Sequence, residues 1–298
     1  SSVCLEENIT VGERGEARLS VNQFNFSQIA AFVPKETELQ GEANANVWAK
    51  WAPDASPQAK VELRLPAGGV SQQLAQPIDI GWDNITLEAN LAGDRLDASW
   101  LVAVTDNGDF SGQATIPDVL SQEQMLDAKL KLTTFNLDFL APLVGEYSEL
   151  KSNISTELAL SGPVLHPQAN GQLLIDNMQL KGDISPVQVD SGQLTVAFKG
   201  YQADLQAALN TPDGTLNLAG DADWQDLTDW KTKLRVFAQE LRVEMPPMVD
   251  IKVVPDMTIN VSPKLAKIEG NIDLPWGRIV VEELPPSATG VSSDLVLL

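Results

Sequence analysis

Apolar residues recur at every second position over most of this chain, and that period limits the folds open to it more than any other feature. In residues 156–180, Thr156, Leu158 and Leu160 stand at every second position, Ser161-Gly162-Pro163 and Pro167 interrupt, and Leu173 and Ile175 resume. Alternation between Gly and Pro punctuation predicts half-buried strands joined by sharp turns, with Ser161-Gly162-Pro163 as a turn at one rim. A short motif, Gly-x-apolar-x-apolar, recurs from Gly112, Gly171, Gly192, Gly214, Gly270 and Gly277. The same period runs through 43–51, 61–65, 85–91, 96–104, 203–209 and 257–261. Asn107-Gly108 is a hairpin signal, because the pair accepts the positive φ angles of a tight turn. The expectation is an all-β chain of roughly twenty strands, well above the ordinary strand content.

The alternation lapses in few places. Phe26, Ile29, Ala30 and Val33 fall at helical spacing and Pro34 ends them, which predicts a helix of two or three turns at most. A second short helix is expected over residues 119–126, with Ser121 as cap and Gln124 at the capping-box position. Residues 24–39 align with 135–150 at a constant shift of 111, with six identities in sixteen positions, where about one is expected by chance. A weaker third copy starts at Leu234, over Leu130, at a shift of 104. The chain therefore divides into approximate repeat units 1–111, 112–222 and 223–298, each a set of strands punctuated by one short helix.

Composition narrows the function classes. There are 41 Asp and Glu against 20 Lys and Arg, a formal net charge of −21, and no basic stripe to neutralise phosphates, so nucleic acid is not an expected partner. One cysteine, Cys4, excludes an intramolecular disulfide, and one histidine, His166, excludes most zinc sites and reads as a solvated turn residue. No metal or other cofactor is expected. No apolar run approaches the roughly 18 residues of a membrane span, and no leader opens the chain. Both ends read as cuts through a longer protein, since 293–298 is itself strand-like. No Ser elbow, phosphate loop or convergent acid–base pair is present, and Glu282 and Glu283 point to opposite faces of any strand, so catalysis is not expected.

Amphipathic strands must each hide one face, and two or three short helices cannot cover roughly twenty of them. The sheet either covers itself, as a sandwich, barrel or solenoid, or offers its apolar face to something else. Side by side at about 4.8 Å, twenty strands would extend on the order of 95 Å. If the sheet curls into a gutter, Leu158, Leu160, Leu173, Ile175, Leu194, Val196, Phe198, Leu205, Leu216, Leu218, Ile259, Ile268, Ile272 and Leu274 line its inside. Such a lining suits acyl chains, because burial of CH₂ groups has no directional demand. Sandwich core is the alternative use of the same residues.

The Leu-x-x-Ser-Gly-Pro…Gly-x-Leu-x-Ile pattern at 158–175, the Phe-Asn-Leu-x-x-Leu-Ala-Pro-Leu element at 135–143 and the block from Gly270 to Pro286 resemble the TamB family of AsmA-like bridge proteins. The resemblance covers essentially the whole chain and places it towards the family's C-terminal part. It implies an elongated curved sheet, antiparallel or mixed, rolled into a taco-like groove with an apolar interior. It further implies a periplasmic location in an inner-membrane-anchored parent, phospholipid acyl chains as cargo, and a TamA-type Omp85 outer-membrane partner that docks on other regions. The family is linked to phospholipid transport between the two membranes and to assembly of some outer-membrane proteins. A scaffold that pairs with unfolded outer-membrane strands by β-augmentation is the alternative function.

Overall fold

The computed structural model describes residues 2–5, 12–74, 77–143, 149–182, 187–245 and 248–280. The strand-like run 293–298, the Glu282-Glu283 pair and the end of the Gly270 block lie outside them, as does the side chain of Cys4. The chain forms a single antiparallel sheet. Its first half contains β1 (Ser2–Leu5), β2 (Gly15–Asn25), β3 (Thr37–Gln40), β4 (Glu42–Ala52), β5 (Ala55–Gln72), β6 (Ile78–Ala92), β7 (Arg95–Val104), β8 (Asp109–Ile116) and β9 (Met125–Asn136). The second half adds β10 (Glu149–Pro163), β11 (Gln168–Lys181), β12 (Ser191–Gly200), β13 (Gln202–Thr211), β14 (Gly214–Asp223), β15 (Lys231–Ala238), β16 (Leu241–Met245), β17 (Val249–Ser262) and β18 (Leu265–Ile279). Each strand pairs with its sequence neighbour, except that β3 and β16 extend the rows of β4 and β15. The sheet is curved and does not close into a barrel. It is sixteen strand positions wide, or about 70 Å at ~4.8 Å per step, shorter than the roughly 95 Å expected from twenty strands.

Alternation alone marks only the middle of many strands. β5 runs for 18 residues through Pro57, Pro66 and Gly68-Gly69, around the predicted core of Val61, Leu63 and Leu65. Four of the six motif glycines, Gly112, Gly171, Gly270 and Gly277, sit inside strands, whereas Gly192 and Gly214 stand at strand starts. Gly112 faces Trp100 across the ladder and leaves room for its ring, whereas Gly171, which faces Phe198, is crowded by the Glu157 carbonyl. A β-carbon on Gly112 would lie 2.3 Å from the Trp100 ring. The Ser161-Gly162-Pro163 segment is likewise the end of β10, and the turn falls at residues 164–167.

The predicted first helix is a 3₁₀ helix, η1 (Phe26–Phe32), and its counterpart in the second copy is η2 (Asp138–Leu143). The two are entered identically. Asn25 Oδ1 accepts from the Ser27 amide at 2.8 Å and Asn136 Oδ1 from the Asp138 amide at 2.6 Å. The next amides, Phe26 and Leu137, donate to the Gly41 and Ser152 carbonyls, again 111 positions apart. The third copy differs, because β16 occupies the helix position. Glu240 stands where an Asn cap would be, and Leu241-Arg242-Val243-Glu244 alternates at period two, so the segment pairs with β17 instead.

No helix forms over residues 119–126. Asp118 Oδ1 accepts from the Leu120 and Ser121 amides, both at 3.0 Å, and the Gln124 side chain folds back onto the Val119 carbonyl at 2.7 Å. These bonds close a compact turn within the span between β8 and β9, too short for a helix to propagate. The β7–β8 hairpin forms as expected, but the positive φ belongs to Asp106 (54°) rather than to Asn107 or Gly108. Gly108 is needed for proximity, since a β-carbon there would meet the Thr133 carbonyl oxygen. His166 is not merely solvated: it stacks on Tyr201 with centroids 4.4 Å apart, and its Nε2 lies 3.0 Å from the Trp224 carbonyl.

Candidate functional site: one apolar face of the sheet

Directly paired residues of an antiparallel sheet share a face. The register can therefore be followed sideways. One row passes from Val21 through Ala45, Leu63, Leu87, Trp100, Gly112, Leu130, Leu158 and Gly171 to Phe198, Ala203 and Ala222. The adjacent row contains Leu173, Val196, Leu205, Gly220, Leu234, Ile259 and Ile268. A third contains Ile175, Leu194, Ala207, Leu218, Val236 and Met257, and in a fourth Leu209 pairs with Leu216 and Leu216 with Ala238. Leu160 begins another row towards the opposite rim with Ala128, Ala114, Ala98, Ala89 and Val61. Ile272 pairs with Pro255, and Leu274 follows at the same parity on β18. All fourteen residues singled out from the sequence thus share one face.

Alanines gauge how sheltered that face is. On β13, Ala203 and Ala207 lie on it and are 8% exposed, whereas Ala208, one position on, faces the other way and is exposed. Side chains are therefore more crowded on the apolar side than on the other. Shelter stops short of a core. Among the described residues only seven apolar side chains are buried, Pro255 and six others of which four are alanines, and none of the large side chains is fully buried. Eleven of the fourteen are half-buried, and Ile268, Ile272 and Leu274, on the terminal strand, are 68%, 53% and 63% exposed. A closed sandwich would have buried them.

The first of these rows alone crosses twelve strands, about 53 Å at ~4.8 Å per step, so the apolar face is continuous over most of the sheet. Monomers rarely leave more than about 300–600 Å² of contiguous apolar surface open. The N-terminal half contributes to it as fully as the C-terminal half, through Leu63, Ile85, Leu87 and Val102. The sequence reading confined the lining to residues after 157, although the same alternation in 61–65 and 85–91 carried the signal.

The opposite face is polar and carries several ion pairs. Arg235 forks onto Asp256 (3.0 Å for both bonds) and lies 4.8 Å above the Phe237 ring; Arg242 forks onto Asp250 at 2.9 and 2.8 Å. Arg95 holds Asp97, Lys60 holds Glu62, and Lys252 holds Glu240. The Arg235, Arg242, Arg95 and Lys60 partners hold Asp256, Asp250, Asp97 and Glu62 below the usual carboxylate range. These pairs are exposed, so they fix register more than they add stability. Among the described residues no group of three or more His, Cys, Asp or Glu could hold a metal ion, and no helix is long and apolar enough to cross a membrane.

The fold and this face define an extended β-groove protein, a single curved sheet with one continuous apolar face. The particular family follows from two family models, the TamB N-terminal domain matching residues 1–175 and the TamB C-terminal domain matching residues 199–298. The chain belongs to the TamB family. It is 25% identical over 297 residues to the translocation and assembly module subunit TamB of Haemophilus influenzae, an alignment covering 99% of this chain and 23% of that protein. The chain thus spans less than a quarter of the length of that relative. No solved structure matches it.

Proposed function

We propose that the chain is a segment of a passive conduit, in which phospholipid acyl chains lie on the apolar band while their polar heads stay at the open seam. The observation that carries this reading is the continuity of the half-exposed rows from β2 to β18. An acyl chain of about 16 carbons covered on one side gains about 6 kcal/mol, at ~0.8 kcal/mol per fully buried CH₂. That is enough to retain the chain. Spread over equivalent contacts, it presents no deep well along the groove. The translocation and assembly role named for the relative, a periplasmic position between two membranes, an inner-membrane anchor in the parent and a TamA-type partner all fit this reading.

A photocrosslinker at Val196 or Leu218 should give lipid adducts, and one at Asn217, which pairs with Ala208 on the polar face, should give few. Equal labelling from both faces would sink the conduit. A second reading, capture of unfolded β-strands by augmentation, is favoured by one feature. β18 offers 15 residues with only β17 as partner among the described strands. Peptides in place of lipid in the purified protein would support it.

A further inference from the structure

We propose that His166, Tyr201 and Trp224 form a clasp on one lip of the groove, and that its release admits a lipid from the side. The inference rests on the conduit reading and adds a point of entry to it. The turns after β4, β6, β8, β10, β12 and β14 follow one another along this lip. Over its first part, successive turns are tied by backbone hydrogen bonds. The Gly93 amide donates to the Pro57 carbonyl at 2.9 Å, Val119 to Asp94 at 2.7 Å and Val164 to Gln124 at 2.9 Å.

The next link is of another kind. His166, in the turn after β10, stacks on Tyr201, the single residue between β12 and β13, with ring centroids 4.4 Å apart. Its Nε2 lies 3.0 Å from the carbonyl oxygen of Trp224, in the turn after β14. A carbonyl can only accept, so Nε2 carries the hydrogen. The Tyr201 hydroxyl donates to the His166 carbonyl at 3.3 Å, and the Trp224 amide donates to the Tyr201 carbonyl at 2.9 Å. β11 and β14 are three ladder steps apart, about 14 Å at ~4.8 Å per step, so one imidazole closes the lip over the tip of the β12–β13 hairpin.

The clasp also reaches the groove. The Trp224 ring meets Phe198 at 66° with centroids 6.3 Å apart, and Phe198 belongs to the first apolar row. A link made by side chains is released by a change of rotamer, whereas the backbone links elsewhere on the lip part only when a turn breaks. Leu165, 90% exposed, and Leu227, 53% exposed, stand in the two turns that His166 joins. Release therefore separates two apolar tips and bares Phe198 between them, an apolar path from the lip to the rows that an acyl chain can follow.

The test reads the lip and the entry separately. Spin labels at Leu165→Cys and Leu227→Cys, in a Cys4→Ser background, should give one narrow distance by pulsed electron resonance, and a longer, broader one when His166→Ala is added. Without labels, His166→Ala should take up a phosphatidylcholine with a fluorescent acyl chain from phosphatidylcholine vesicles about fivefold faster, the factor set by one lost hydrogen bond, and should reach the same final amount. Tyr201→Ala removes the stack from the other side and should act alike, so misfolding of one variant, seen by circular dichroism, leaves the other as the test. An unchanged distance in the folded variants overturns the clasp. A wider lip without faster uptake overturns its role in entry, while the uptake itself still supports the conduit. A folded chain that takes up no lipid, unaltered or varied, overturns the conduit and this entry with it.

Discussion

A β-carbon on Gly171 would sit 2.1 Å from the Glu157 carbonyl oxygen, and its φ of 137° is one that L-residues rarely adopt. Gly171→Ala should therefore lower stability by about 2–4 kcal/mol in urea titration, more than any surface change. Gly270, at φ 140° with a β-carbon 2.2 Å from the Asp256 carbonyl oxygen, repeats the situation on β18 and should respond likewise. The opposite sign is expected at Ser152. Its hydroxyl is buried without a partner, and the equivalent position in the first copy is Gly41, so Ser152→Ala should raise stability by up to about 1 kcal/mol. A loss there would mean that the hydroxyl has a partner in solution. At this scale the common face of the fourteen residues was legible, because period-two alternation specifies a face once strands pair in register. Proximity of backbone was not. Nothing local in the sequence shows that Gly108 must clear the Thr133 carbonyl or that Gly112 must admit the Trp100 ring.

Among elements, the junction at Asn136 concentrates the polar contacts between β7, β8 and β9. Asn107 Oδ1 accepts from the Gly108 and Asn136 amides, and its Nδ2 donates to the Asn136 carbonyl at 3.0 Å. Asn107→Ala removes all three bonds and should cost about 2–3 kcal/mol. Loss of a single cap, Asn25→Ala, should cost about 1 kcal/mol. Similar losses in the two variants would contradict the junction's role. The helix caps were foreshadowed by the shared Phe-Asn of the two copies, whereas the absent helix at 119–126 was not. Asp118 supplies an N-cap pattern there, but a helix needs length to propagate, and the strands on both sides were longer than alternation indicated. β16 shows the converse: a helix inferred from repeat alignment yields when the residues themselves alternate.

For the whole molecule, a sheet about 70 Å long and only one layer deep should scatter X-rays with a radius of gyration above the ~19 Å of a compact 298-residue domain. A value at ~19 Å would indicate collapse of the groove. The acid response also belongs to this scale. Glu16, Glu62, Asp97, Asp223, Asp226, Asp250 and Asp256 all titrate below their ordinary values, held mainly by hydrogen bonds from Trp48, Lys60, Arg95, Gln202, Thr228, Arg242 and Arg235 respectively. Depressed folded-state values stabilise above the unfolded range near pH 4 and stop doing so as pH falls through them. The melting temperature should be nearly flat from pH 8 to 6 and decline below about pH 4.5, despite relief of the repulsion within a chain of net charge −21. A melting temperature that rises steadily into acid would show that repulsion dominates. The six-position interval between β2 and β9, and again between β9 and β15, has a further consequence. Each interval spans about 29 Å of the sheet. Duplication or deletion of one such stretch would change the molecule's length in increments of that size, as a ruler is lengthened or cut.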